Sequence, residues 1–97
     1  MGKEIVRVHV LAGGRVQGVA YRFYAEKHAG RLGITGWVRN LPDGRVEVLA
    51  EGSAESVETF LDRLREGPSQ ARVETFDVRR EPPKGEFRDF RLNFLSE

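Results

Sequence analysis

Two helix-periodic segments, each flanked by alternating strand-like runs, and a Pro-Asp-Gly turn between two of those runs predict an α+β sandwich. The element order is β-α-β-β-α-β with a further short strand at the C-terminus. That order is the mark of a ferredoxin-like split-βαβ sandwich, an antiparallel sheet with two helices on one face. A right-handed crossover sets the second strand parallel to the first, with the third inserted between them. Residues leaving the first strand and residues ending the second then emerge at one edge of the sheet, about two strand spacings (~10 Å) apart.

Each element has its own signal. Ile5 to Leu11 alternates, with Val6, Val8 and Val10 on one face and Arg7 and His9 on the other, as a half-buried strand does. A helix follows from about Val19 to Leu32 on the stripe Tyr21, Ala25, Ala29 and Leu32, joined by Tyr24, and Gly33 stands at the C-cap position. Ile34 to Leu41 reads as the second strand and Pro42-Asp43-Gly44 as turn chemistry. Val46, Val48 and Ala50 alternate with Arg45, Glu47 and Glu51 in a third strand that Gly52 ends. Ser53 is an N-cap with Glu55 in the first turn, and Val57, Phe60, Leu61 and Leu64 form the apolar stripe of the second helix. Gly67-Pro68 stops that helix. A fourth strand covers about Arg72 to Arg80 with Phe76 and Val78 inward, Glu81 to Glu86 is a polar loop, and Phe90, Leu92 and Phe94 alternate in the last strand. No linker or repeat interrupts the pattern, so residues 1–97 read as one domain.

Composition narrows the function classes. With 39% hydrophobic and 32% charged residues the chain reads as folded and soluble. A net charge of +1 leaves no electrostatic footprint for nucleic acid or an acidic membrane. There is no apolar run near 18 residues and no signal-peptide core, which points to the cytoplasm. Zero cysteine removes disulfides, thiolate metal sites and a cysteine nucleophile, and two histidines, His9 and His28, are too few and too scattered for a zinc site. Arginine far exceeds lysine while Asn, Gln and Met are scarce, which suits a thermophilic source. Nothing in the pattern demands more than a monomer.

Chemistry concentrates in the stretch Gly14-Arg15-Val16-Gln17-Gly18-Val19-Ala20-Tyr21-Arg22, a glycine-bearing turn leading from a strand into the first turn of a helix. Such a turn aims main-chain N–H groups at one point, at the positive end of a helix dipole, and favours an anion. Gly18, like Gly14, has no Cβ to keep a ligand oxygen from the backbone. Arg22 adds a permanent charge whose planar fork matches two phosphate oxygens. Taken alone, the segment fits an anion site and a plain turn equally, because turns of this kind are common.

The predicted topology brings a second motif to the same edge: Gly36-Trp37-Val38-Arg39-Asn40, followed by Gly44-Arg45-Val46 and Gly52. Together with Gly14-Arg15-Val16-Gln17-Gly18-Val19 and Tyr21-Arg22, it closely resembles the acylphosphatase family, in order and at the family's spacing over nearly the whole chain. The resemblance implies hydrolysis of a carboxylic–phosphoric anhydride to a carboxylate and phosphate, with no metal or cofactor. It implies a small-molecule acyl phosphate as substrate and phosphate or sulfate as product-like ligand, and the charge and hydropathy above add the expectation of no nucleic-acid or membrane partner. By the same carry-over Arg22 matches the phosphate-binding arginine and Asn40 the asparagine that positions water. Arg15, Val16, Gln17, Gly18 and Val19 match the phosphate cradle.

The residues suit that chemistry independently. A phosphoryl group passes through a loose transition state, so the protein's task is positioning and charge stabilisation. Its leaving group here is a carboxylate, a weak base, and no general acid is needed. Asn40 is neutral and does not repel the anion, and its amide both accepts and donates hydrogen bonds. Gln17 fits either the cradle or local bonding within the turn. Trp37 reads as packing on one sheet face, His28 as a boundary residue, and Arg15 and Arg39 as solvated or as added positive potential at the mouth. Leu95-Ser96-Glu97 extends past the last strand, leaving open whether its carboxylates orient Arg22.

Two other readings share the fold: a non-enzymatic small-anion-binding module, and an RNA-binding sheet. The first is separated from the enzyme by metal-free hydrolysis of benzoyl phosphate. The second needs stacked aromatics and a basic sheet face, whereas strands one and three offer Arg7, His9, Arg45, Glu47 and Leu49. The composition also predicts a melting temperature above the ~45–65 °C of mesophile domains, which calorimetry checks.

Overall fold

Val8, Val10 and Ala12 are fully buried on one face of strand β1 (Ile5–Arg15) in a computed structural model that describes residues 4–93. The remaining elements are α1 (Tyr21–Leu32), β2 (Thr35–Asn40), β3 (Val46–Ser53), α2 (Ala54–Glu66), β4 (Arg72–Glu81) and β5 (Phe90–Asn93). The sheet order is β4-β1-β3-β2-β5, and the pairs β4–β1, β1–β3 and β3–β2 are antiparallel. Phe94 and Leu95-Ser96-Glu97 lie outside the described residues.

Strand alternation builds the core. Val8 and Val10 of β1, Val38 of β2 and Val46, Val48 and Ala50 of β3 share one face, against Tyr21, Ala25 and Ala29 of α1 and Val57, Phe60 and Leu64 of α2. Ser53 caps α2, its Oγ accepting from the Ser56 N–H at 3.2 Å. Two phenols then tie the helices together: Tyr21 donates to the Leu64 carbonyl at 2.6 Å and Tyr24 to the Arg63 carbonyl at 2.8 Å. The Leu64 carbonyl is one that the last turn of α2 leaves without a helical partner, since residue 68 is proline, whereas the Arg63 carbonyl also accepts the Gly67 N–H at 2.8 Å. Burial pushes the Tyr21 phenol up, so it remains a donor.

Three expectations change. The four-strand core is antiparallel, but β5 runs parallel to β2 (Gly36 opposite Phe90, Val38 opposite Leu92), which makes the whole sheet mixed. Because β4 and β5 occupy opposite edges, residues 82–89 cross the face turned away from the helices. Next, β1 continues past Leu11 to Arg15, with a bulge between Gly13 and Gly14 where it pairs with β4. Finally α1 begins at Tyr21 instead of Val19, because the chain turns through residues 17–20.

The outer face holds the crossing segment by charge. Arg7 and Glu51 are each 4% exposed and lie opposite one another on β1 and β3. The Arg7 guanidinium reaches Glu51 at 2.8 Å, Glu86 at 3.1 Å and Glu81 at 3.2 Å. Glu51 also accepts the main-chain N–H groups of Lys84 at 2.9 Å and Gly85 at 3.1 Å. Burial alone would raise the Glu51 carboxyl, but those amides and Arg7 together hold it below the usual glutamate value. Glu51 therefore binds its proton more weakly folded than unfolded. Its stabilisation is complete above the ordinary glutamate range and is lost as pH falls through the lower folded value. Urea unfolding between pH 7 and pH 3 is expected to show that loss, and Glu51→Gln to flatten it. Arg7→Ala, which leaves a buried carboxylate uncompensated, is expected to cost about 3–5 kcal/mol at pH 7.

Candidate active site

The turn after β1 carries two left-handed residues, Gly18 (φ 74°) and Ala20 (φ 65°, ψ 26°). Ala20 is the only non-glycine residue with positive φ among those described, and it stands at the N-cap of α1. Its side chain caps nothing, and the first turn of α1 holds no acidic residue. The first intrahelical bond runs from the Tyr24 N–H to the Ala20 carbonyl at 3.0 Å. The N–H groups of Tyr21, Arg22 and Phe23 thus have no acceptor within the helix. A Cβ on Gly18 would meet nothing within 4 Å, so the turn faces open space there. Gly14 differs: a Cβ there would run into the Arg72 carbonyl, so its missing side chain serves the β1–β4 pairing and not a ligand.

Gln17 joins this turn to the second motif. Its amide donates to the Leu41 carbonyl at 2.8 Å and to the Arg45 carbonyl at 2.9 Å, spending both N–H groups on the β2–β3 hairpin. The hairpin closes on itself through Leu41 N–H to the Arg45 carbonyl at 2.8 Å. Leu41 follows Asn40 directly, so the anion turn and the end of β2 are held in fixed relation. On α1, Arg22 is half-buried and its Nη1 donates to the Asn93 carbonyl of β5 at 3.0 Å.

These elements enclose a pocket of about 180 Å³ whose walls are Val16, Gly18, Ala20, Arg22, Phe23 and Asn40, with Tyr21 behind them. Arg22 and Asn40, which come from different elements, therefore meet at one concavity. Among the described residues lining it none is acidic. The other candidates lie differently: Arg15 is exposed at the end of β1, Val19 packs against the core, and the Gln17 side chain belongs to the hairpin. Arg39 points to the outer face. There it pairs with Glu47 at 2.6 Å and lies 5.2 Å over the Trp37 ring, adding no charge to the pocket wall. Burial would raise the Glu47 carboxyl, yet His9 and Arg39 hold it below the usual value. His28 packs on Tyr24 with ring centres 4.5 Å apart. Ala20, Phe23 and the Asn93 carbonyl were not singled out by sequence. The available signal was a helix start with neither a Ser, Thr, Asp or Asn cap nor an early acid.

A larger groove of about 600 Å³ runs beside β5 between Trp37 and Phe87. It has no helix start, and Arg91 on its wall is paired with Asp89 at 3.1 Å. Among the described residues no group of three or more His, Asp or Glu side chains is placed to hold a metal ion.

Fold and pocket define a class: a ferredoxin-like sandwich with an anion-sized pocket at the uncapped start of its first helix. The acylphosphatase family profile matches residues 8–92, and the chain belongs to that family. It is 61% identical over 84 residues to an acylphosphatase of Methylococcus capsulatus, covering 87% of this chain and 91% of the relative. It is 48% identical over 89 residues to one from Roseiflexus sp., covering 92% and 96%. Among solved structures it resembles an acylphosphatase from Coxiella burnetii (37% identity, TM-score 0.88, 94% of this chain and 95% of that one). A second, from Bacillus subtilis, gives 30% identity and a TM-score of 0.85 over 88% and 94%. The chain is accordingly a hydrolase of acyl phosphates.

Ala20 supplies a direct test of the turn. A β-branched side chain tolerates the left-handed region poorly, so Ala20→Val is expected to destabilise by ~1–3 kcal/mol in urea unfolding, while Ala20→Gly leaves stability level or higher.

Proposed function

We propose that hydrolysis proceeds by attack of water on a phosphoryl group held by the main chain from Arg15 to Val19 and by Arg22, with the water positioned by Asn40. The observation that carries this reading is the shared pocket of Gly18, Ala20, Arg22 and Asn40. The acyl phosphate dianion and water become a carboxylate and dihydrogen phosphate: the new P–O bond forms to water as the bridging P–O bond breaks. The electron pair leaves with the carboxylate, and the two protons of the water end on phosphate oxygens. Charge on the equatorial oxygens is met by preorganised N–H donors and the guanidinium. The Asn93 carbonyl fixes one end of that guanidinium, which saves orienting it at the moment of reaction. The Asn40 amide oxygen accepts a hydrogen bond from the water, and its N–H₂ donates towards phosphate.

On this reading the reaction needs no metal or cofactor, and phosphate or sulfate competes for the same pocket. The near-neutral charge supports a small-molecule substrate over nucleic acid. The outer sheet face supports it too, since its Arg7, His9 and Arg39 are engaged by Glu51 and Glu47. No helix among the described residues is long and apolar enough to cross a membrane. We place the protein as a single-domain monomer in the cytoplasm of a thermophile, on the composition given above.

Arg22→Ala is expected to abolish phosphate inhibition and activity together. Asn40→Ala is expected to lower kcat about 10²–10³-fold with the phosphate inhibition constant little changed, read from steady-state kinetics on benzoyl phosphate. Turnover left intact in Asn40→Ala would overturn the assigned mechanism.

A further inference from the structure

We propose that Phe23 is the specificity-determining wall for the acyl half of the substrate, and that the enzyme thereby favours acyl phosphates with aromatic or bulky apolar acyl groups over acetyl-sized ones. The inference rests on the assignment of Arg22 and Asn40 above. Tyr21, Ala25 and Ala29 turn α1 towards the core. Phe23, two residues after Tyr21 and so about 200° around the helix, points away from it. Phe23 is 56% exposed. At that exposure the phenyl gives folding only part of the benefit that full burial would. Yet Phe23 lines the anion pocket beside Arg22.

Size decides what the ring meets. The pocket, about 180 Å³, falls below the roughly 300–1,000 Å³ of sites that enclose a whole ligand. It takes the phosphoryl head, and the acyl group extends over the rim. Direction follows from in-line displacement, in which the leaving oxygen lies opposite the attacking water. With the water held by Asn40 at the end of β2, as assigned above, an acyl group leaving on the opposite side is met by α1, which carries Phe23. A phenyl ring offers apolar and offset-stacking contact and no charge. Such contact is made equally in ground and transition states and acts on KM more than on kcat.

The test compares kcat/KM for benzoyl phosphate with that for acetyl phosphate in the wild type, Phe23→Ala and Phe23→Leu. The benzoyl-to-acetyl ratio is expected to fall about tenfold in Phe23→Ala, mainly through the benzoyl KM, and to be largely retained in Phe23→Leu. A ratio unchanged within twofold in Phe23→Ala, or a fall carried by kcat alone, overturns the proposal. Phosphate inhibition of Arg22→Ala is measured in parallel. If it persists, the anion-site assignment has failed, an outcome distinct from an unchanged acyl ratio. Should Phe23→Ala not fold by circular dichroism, Phe23→Gln gives the same comparison.

Discussion

Two hydrogen bonds from one side chain hold the halves of the site in register. Gln17 leaves the anion turn and donates to the Leu41 and Arg45 carbonyls, at the two ends of the β2–β3 turn. Asn40 precedes Leu41, and Arg22 follows Gln17 by little more than one turn of chain. The separation of guanidinium from amide is thus set by a short, closed path of covalent and hydrogen bonds. Reactions that rely on positioning need this rigidity, because a displacement of about 1 Å can cost on the order of 10² in rate. The side chain does not need to touch substrate to matter. Its amide is neutral and both of its N–H groups are engaged, so the tether adds no charge that would compete with a bound dianion.

The same economy explains the poor start of α1. A Ser or Asp at the N-cap would satisfy one of the open N–H groups and stabilise the helix by ~1 kcal/mol. Ala20 does neither, and it sits in a backbone region that alanine avoids. The helix is held instead from its other side. Tyr21 and Tyr24 bond the last turn of α2, and Ala25 and Ala29 are fully buried against the core. Tertiary contacts carry α1, so the helix does not depend on a side-chain cap at its N-terminus. Local instability at a site, offset by packing elsewhere, is a common arrangement.

What was readable from sequence follows the range of the forces involved. Valine alternation located β1 and β3, Ser53 and the 57-60-61-64 stripe located α2, and the crossover rule brought the two motifs to one edge. Local signals misjudged the region around Gly13 and Gly14, because two glycines weaken a strand pattern even where a bulge preserves the pairing. The left-handed turn at Ala20 left no residue-level mark, since alanine is indifferent in composition. Gln17 could be placed in the turn but not assigned its partners, which lie 24 and 28 residues away. The parallel position of β5 depends on contacts at still longer range, Glu51 with Lys84 and Gly85, and no periodicity encodes them.

Those long-range contacts connect the outer face of the sheet to the chemistry on the inner one. Glu51 and Arg7 pin residues 84–86 beneath the sheet. The pinned segment delivers the chain to β5, which among the described residues pairs with β2. Asn93 of that strand presents its carbonyl to Arg22. The placement of β5 relies on Phe90, packed edge-on against Phe60 at 5.7 Å, and on the crossing that precedes it. A buried ion pair that contributes little net stability over apolar residues of the same size can still be worth keeping on these grounds. Here its consequence is positional: it helps to set where β5 runs, and with it the Asn93 carbonyl that the guanidinium of Arg22 meets.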